Sequence, residues 1–298
     1  MIKLPIIHVT DENKVTEQQG TKLKFWYGNE SDLLFKEGKI HGENWAELIA
    51  CQLAELLDLP HAIFKPAVYL DPEKKAVHGT VTERFINKNS GERLIHANEF
   101  LAKTIKDYDK YQTFNHRQYT VSSSIGLFSV LRHLIKPSSH YEPIRQFVGY
   151  LLFDVFIANL DRHHENWGFI SSADGLYLAP SYDHGSSLAC RESGKTRKAR
   201  LNTTDKGYNI EAFARKANAA FYDGDKQLKS YTIADACIKL RKEDSRFWIE
   251  KIASITEQNL VDIIVSLPDD WMTELEKTFT IQFLIVNQQE LVKKLSYV

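Results

Sequence analysis

The chain has 298 residues, 43% of them hydrophobic and 26% charged, a globular balance long enough for one large domain or two lobes around a substantial core. Its 38 basic residues against 39 acidic ones leave a net charge of −1, which lacks the basic excess of a general nucleic-acid binder. Three scattered cysteines, Cys51, Cys190 and Cys237, build no disulfide framework and fit a reducing compartment.

At the N-terminus, Ile2–Val9 reads as a first strand despite Pro5. The apolar run there is too short for a signal peptide, so a cytoplasmic location is expected, with signal-independent export left open. Asp11–Gln19 is polar and loop-like. In TKLKFWYGNESDLLFK, Leu23, Phe25 and Tyr27 alternate with Lys22, Lys24 and Trp26, a period-two strand; Gly28-Asn29 marks a turn and Leu33–Lys36 the partner strand. Asn44 would cap a helix running to about Leu57, with Trp45, Leu48, Ile49, Leu53 and Leu56 on one face. Glu47 is the only charge on an adjacent face of small residues (Ala50, Cys51, Ala54). A carboxylate at the rim of a packed surface needs a partner, and Lys36 is the candidate. A strand lysine paired with a helix glutamate is what an active kinase uses to hold nucleotide phosphates; the plainer reading of Lys36 is a solvated strand end. The loop before this hairpin offers a single glycine, Gly20, where a phosphate-binding loop would want several. Thr21 or Lys22 would help there, and a lone Gly is also an ordinary turn.

Pro60–Leu70 and Val77–Phe85 read as further strands, the first as an edge or irregular strand because of Pro66. Asn87–Glu92, with Gly91, reads as a linker. Ala97–Ile105 starts a helical region. Asp107–Tyr119 is aromatic, charged and aperiodic, either a substrate-facing insertion or a packed loop. Ile125–Leu134 reads as a helix, broken at Pro137-Ser138-Ser139.

From Ile144 through Phe147, Val148, Leu151, Leu152, Val155 and Phe156 the apolar stripe predicts a buried helix over Pro143–Ala158, ending near Asn159. No stretch reaches the length of a membrane span; LLFDVFIANL is interrupted by Asp154. A polar loop headed by Asp161 follows, then a strand around Trp167, Phe169 and Ile170, a turn at Gly175 and a returning strand over Leu176–Ala179. Asp183 comes next, with Gly185 two places on. Asn166 lies five residues after Asp161, the separation of Asp and Asn in the protein-kinase catalytic loop. Phosphoryl transfer needs an acceptor oxygen held in line and metal ions against the phosphates, and Asp183-His184-Gly185 supplies a second metal-binding carboxylate. The oxygen-rich pair Asn166 and Asp183 suits magnesium better than zinc. Alone, an Asp–Asn pair in a loop is a capping or turn device. His163-His164 invites a metal-hydrolase reading, yet no second histidine cluster and no Cys-x-x-Cys accompanies it; His164 is expected to be exposed.

Beyond Asp183 the basic run Arg191–Arg200 reads as a solvated loop in the place of an activation segment, with docking of an acidic or phosphorylated partner as the alternative. The C-terminal third reads as all-helical. It contains a helix over Ala234–Lys242 and a capping box at Ser254-Ile255-Thr256-Glu257 opening a helix that Pro268 ends. A last helix runs from Trp271 to about Leu295, with Leu275, Phe279, Phe283 and Val286 in the core.

The strings NLDRHHENWGFI and LAPSYDHGSS resemble the HipA-like kinases, most of all the family's shorter members. The resemblance runs from about Thr16 to the last helices, strong in the catalytic loop and weak in the glycine loop. It implies an α+β, two-lobed protein-kinase-like fold: a small β-rich N-lobe with one helix, residues 1–88, and a larger helical C-lobe, residues 89–298. It implies ATP and Mg2+ as cofactors and phosphorylation of Ser or Thr. Carried over by position, Asp161 would be the catalytic base, Asn166 and Asp183 metal ligands, Gly20 part of the phosphate loop, and His163 a brace for the catalytic loop. Glu83-Arg84-Phe85 matches a hinge that contacts adenine; it reads equally as a strand end over a buried Phe. Toxin members act on aminoacyl-tRNA synthetases and pair with an antitoxin, which by analogy are the expected substrate and partner, with no direct nucleic-acid binding. Some members are controlled by phosphorylation in the glycine loop, where Thr16 and Thr21 are the hydroxyls here.

Three other functions compete. A lipid or small-molecule kinase would use the same residues. A catalytically weak kinase-fold binding module would explain the poor glycine loop. A metal-dependent hydrolase would rest on Asp161, His163, His164 and Asp183.

Overall fold

The computed structural model describes residues 3–10, 14–16, 23–28, 32–38 and 41–297. Strands dominate as far as Glu83 and helices after Ala97. Strands β1 (Ile7–Val9), β2 (Val15–Thr16), β3 (Lys24–Tyr27), β4 (Leu33–Glu37), β5 (Phe64–Leu70) and β6 (Ala76–Glu83) form one sheet in the order β1-β5-β6-β4-β3-β2. Neighbours are antiparallel except β1 and β5. Period-two alternation sets the two faces. Phe25, Tyr27, Phe35, Tyr69 and Val81 gather in one small core. Lys36, next to Phe35, therefore points to the other face, where it meets helix α1 (Glu43–Leu56).

Two local expectations change. Strand β5 is not an edge, because β1 and β6 flank it. Pro66 is tolerated because β1 begins pairing only at Ala67, so no β1 acceptor waits for the missing N–H. Helix α1 is preceded by Gly42 and not capped by Asn44, whose Oδ1 accepts from the Trp45 N–H. Gly42 has φ of 97°, and a Cβ there would stand 2.9 Å from Cys190, so glycine is required twice over.

Strands β7 (Arg93–His96), β8 (Ile135–Lys136), β9 (Gly168–Ser172) and β10 (Gly175–Leu178) form a second sheet, ordered β7-β9-β10-β8. Helices α2 (Ala97–Thr104) and α3 (Val121–Val130) precede α4 (Pro143–Ile157). Helix α4 is buried from Gln146 to Ile157 and ends at Ala158, whose φ of 49° turns the chain into the Asp161 loop. The segment after α1 is tied to the one before Asp183 by backbone bonds: Ala62 N–H to Ser181 O (2.8 Å) and Ser181 N–H to Pro60 O (3.0 Å).

The basic run is not a solvated loop. It forms α5 (Gly194–Asn202), started by Ser193, and buries Arg197 because Glu276 accepts from it at 2.7 Å. Nor is the remainder all-helical. After α6 (Ile210–Lys216) a hairpin of β11 (Asn218–Asp223) and β12 (Lys226–Lys229) stacks Phe221 on Tyr119, 4.4 Å between ring centroids. Helices α7 (Ser230–Leu240), α8 (Lys242–Ala253), α9 (Glu257–Ser266) and α10 (Glu274–Lys293) complete the chain. The box opening α9 is Thr256 with Asn259, two residues beyond the expected start, since Ser254 closes α8. Among the described residues, no helix is long and apolar enough to cross a membrane.

Candidate active site

The Asp161 loop is built on a buried ion pair. Asp154 lies in the last turn of α4, and its carboxylate accepts from Arg162 Nε (2.6 Å), Arg162 Nη2 (2.9 Å) and Asn159 Nδ2 (2.9 Å). Burial alone would lower the Arg162 pKa; the Asp154 charge reverses this and holds it above its ordinary value. The remaining guanidinium donors reach the Asn166 carbonyl (2.8 Å) and Ser181 Oγ (2.8 Å). On the opposite side the Tyr119 hydroxyl donates to the Arg162 carbonyl and accepts from Trp167 Nε1, both at 2.9 Å.

Inside this frame, the Asp161 carbonyl accepts from the His163 N–H (2.8 Å) and from Asn166 Nδ2 (2.6 Å). The amide nitrogen of Asn166 is thus committed to the loop, which leaves Oδ1 as its oxygen for a cation. The Asp161 carboxylate is 37% exposed, with His163 Nε2 3.8 Å away. It heads a fixed loop yet stays reachable from solvent.

The second cluster joins the strand sheet to the residues after β10. Lys36 Nζ contacts Asp183 Oδ1 directly and stands 3.5 Å from Glu47 Oε2. Burial opposes the Lys36 charge, but the two carboxylates outweigh it and raise its pKa above the usual lysine value. Burial would likewise raise Glu47; Lys36 and the His184 hydrogen bond bring it below the usual carboxylate range. Glu47 Oε1 accepts from the His184 backbone N–H at 2.8 Å, with His184 Nδ1 3.5 Å away. The other ring nitrogen of His184 lies 2.7 Å from Ser181 Oγ and 3.2 Å from Arg162 Nη2. A continuous polar chain therefore runs Lys36, Glu47, His184, Arg162, Asn166. Asp183 has φ of 62°, a left-handed conformation uncommon outside glycine and favoured by Asp and Asn. Gly185 passes so near α1 that a Cβ would lie 3.2 Å from Glu47 Oε2.

Lys36, Glu47 and Asp183 are thus brought together, and Asp161 and Asn166 share one loop braced onto the same network. At the expected hinge, Phe85 stacks on Tyr182, the residue before Asp183, with centroids 5.7 Å apart. The Tyr182 hydroxyl donates to the Glu165 carbonyl at 3.1 Å. The Glu83 side chain is 73% exposed and lies 3.6 Å from Lys65. Gly20 and Thr21 lie outside the described residues; Thr16 is in β2. His164 is not exposed: it is 1% accessible, and its Nδ1 is hydrogen-bonded with the Tyr108 hydroxyl at 2.6 Å. Burial, with His116 and His163 beside it, pushes His164 down to about 4. A ring so enclosed does not offer itself to the hydrolase arrangement.

Asn166 and Asp183 present only oxygen donors, a small hard set that suits a magnesium ion keeping waters and substrate phosphates in its other positions. The Lys36 ammonium against Asp183 marks the place where positive charge is wanted. The bracing roles of Asp154, Arg162 and His184 escaped the sequence reading. The signal was there: a charged residue inside the apolar run LLFDVFI demands a buried partner, and Arg162 is the next cation along the chain.

A β-rich sheet carrying a lysine and a helix glutamate, above a helical part holding the Asp161 loop and Asp183, makes a protein-kinase-like α+β fold. The HipA-like C-terminal domain family matches residues 10–259, and the chain belongs to that family. The Helicobacter pylori proinflammatory kinase CtkA superposes with a TM-score of 0.73 at 17% identity, covering 98% of each chain. HipA of Shewanella oneidensis MR-1, solved with HipB and operator DNA, gives 0.60 at 15% identity, covering 97% of this chain and 68% of that one. No curated protein sequence matches.

Proposed function

We propose that the protein is an ATP- and Mg2+-dependent serine/threonine protein kinase, with residues 1–88 and 89–298 as its two lobes. The observation that carries this reading is the convergence of Lys36, Glu47 and Asp183, tied through His184 and Arg162 to the loop bearing Asp161 and Asn166. Asn166 Oδ1 and the Asp183 carboxylate would hold magnesium, which when bound neutralises phosphate charge. Lys36, held by Glu47, supplies a second positive charge to the phosphates. Asp161 orients the substrate hydroxyl and takes its proton. The hydroxyl oxygen bonds to the γ-phosphorus as the β–γ bridging bond breaks, and ADP leaves with that electron pair. Phe85, stacked on Tyr182, offers the base an aromatic edge, while the Glu83 carboxylate faces solvent, so Glu83 would contribute through its backbone.

An aminoacyl-tRNA synthetase substrate rests on family analogy alone, whereas an antitoxin partner also has the HipA–HipB complex in its support. Three buried free cysteines suit a cytoplasmic, reducing location. The test is incubation with labelled ATP and magnesium, alone and with cell lysate, followed by mapping of labelled residues. Asp161→Asn should abolish transfer and leave nucleotide binding nearly intact. Transfer at the parental rate would remove Asp161 as the base, and phosphate on lipid or metabolite alone would favour the small-molecule kinase.

A further inference from the structure

The segment between α2 and α3, residues 105–120, is a fastened loop. Tyr108, His116 and Tyr119 are buried. Asn98 Nδ2 donates to the Lys110 carbonyl (3.0 Å), His116 Nε2 meets the Asp109 carbonyl (2.9 Å), and Gln112 Nε2 donates to the Phe114 and Asn115 carbonyls (3.2 and 3.0 Å). The Tyr222 hydroxyl of the β11–β12 hairpin donates to Asn115 Oδ1 at 3.0 Å. A loop held this firmly nonetheless leaves two large aromatic side chains in solvent, Tyr111 at 81% and Phe114 at 71% exposure.

Their position gives the exposure a meaning. The Phe114 ring lies edge-on to His163, centroids 6.0 Å apart, and His163 Nε2 is 3.8 Å from the Asp161 carboxylate. Thr113 Oγ1 donates to Glu165 of the same catalytic loop at 3.1 Å. Next to Asp161 in the chain, Leu160 is a further exposed apolar residue, at 41%. Two of the loop's cations are paired within the protein: Lys110 with Glu99 (2.8 Å) and Arg117 with Asp225 (2.6 Å). Apolar surface on a rigid loop beside the proposed base is suited to apolar side chains of an extended chain.

We propose that Tyr111 and Phe114 form a docking platform for a protein substrate, receiving an apolar or aromatic side chain close in sequence to the phosphorylated residue. The proposal rests on the kinase reading above. An extended chain advances about 3.3–3.6 Å per residue, so a side chain two to four positions from the acceptor spans the distance from Asp161 to the Phe114 ring. Because the loop is fixed before binding, seating a ring there costs little ordering entropy.

The test uses the full chain and an oriented library of Ser- and Thr-centred peptides. Transfer is read with ATP and magnesium, and peptide capture is read separately with a non-hydrolysable ATP analogue. The parent should select apolar or aromatic residues two to four positions from the acceptor. The Tyr111→Ala/Phe114→Ala double variant should lose that selection and raise KM for a selected peptide about tenfold, the effect of losing one buried aromatic contact. Its kcat should stay within about twofold of the parent, since Asp161 is untouched. Selection at those positions that survives in the double variant, or an absence of apolar selection in both readouts, overturns the platform. Nucleotide binding and labelled autophosphorylation are measured alongside. If these are present and selection is absent, the platform fails and the kinase reading stands; failure of magnesium-ATP binding strikes the kinase reading itself.

Discussion

Replacing Arg162 by Met separates stability from organisation of the site. Arg162 is 1% exposed and Asp154 6% exposed, so Arg162→Met leaves a buried carboxylate with Asn159 Nδ2 as its remaining side-chain donor. Breaking one side of a buried pair costs about 3–5 kcal/mol. With an unfolding entropy near 2.1 cal/mol/K per residue over a chain this long, the melting temperature should fall by roughly 5–8 °C. The double variant Asp154→Leu/Arg162→Met removes both charges together, and apolar replacement of a whole buried pair is often neutral in stability. It should regain most of the lost melting temperature. It should not regain phosphate transfer, because the Asn166 carbonyl and Ser181 Oγ still lack the guanidinium donors that reach them at 2.8 Å. Thermal and urea unfolding measure the first effect and labelled ATP the second. A single variant melting within about 1 °C of the parent would contradict the buried-pair argument. A double variant that regains transfer would show Arg162 to be structural only.

Lys36→Ala and Glu47→Ala should impair nucleotide binding through one shared contact, so the double variant should fall short of their sum by about 1–3 kcal/mol; strict additivity would show that they do not couple. Glu47→Ala should be the more damaging, since it also strips the His184 N–H of its acceptor. Asp183→Ala should weaken magnesium-dependent nucleotide binding in calorimetry, and unchanged binding would take Asp183 out of the metal site. His164 gives a pH prediction. Its folded pKa is depressed from 6.5 to about 4, so the unfolded chain binds the extra proton first. The stability it confers is full above pH 6.5 and drains away as pH falls towards 4. His164→Asn keeps a hydrogen-bonding group for Tyr108 and should flatten this part of the stability profile; an unaltered acid slope in urea titrations would assign the protons elsewhere.

That Asp161 and Asn166 share a loop after α4, and that Asp183 follows a returning strand, was legible because the apolar stripe and the turn at Gly175 fix the elements bounding those loops. Lys36 and Glu47 were legible because a period-two strand and a 3.6-period helix each dictate a facing side. The faults lie where tertiary partners override local pattern. Arg191–Arg200 looked solvated until Glu276, far along the chain, neutralised Arg197 and allowed a helix to bury it. The β11–β12 hairpin was hidden because Phe221 owes its burial to Tyr119, about a hundred residues away, and local pattern alone does not report such a contact. His164 looked exposed because a polar loop usually is; Tyr108 and His116, from a segment without periodicity, enclose it.

These misses share a cause with the strength of the site. The polar side chains that brace the loops of Asp161 and Asp183 are paired with groups from distant elements: Arg162 with α4 and with Ser181, His184 with α1, Tyr119 with the Asp161 loop. Arg162 could be swapped for an apolar residue at little cost to packing if Asp154 changed with it, as buried pairs generally can. What an apolar pair cannot do is donate simultaneously to the carbonyl of Asn166 and the hydroxyl of Ser181, and so fix two loops in register across an otherwise featureless core. A pair kept for direction rather than for stability explains why a charge interrupts a helix buried from Gln146 to Ile157.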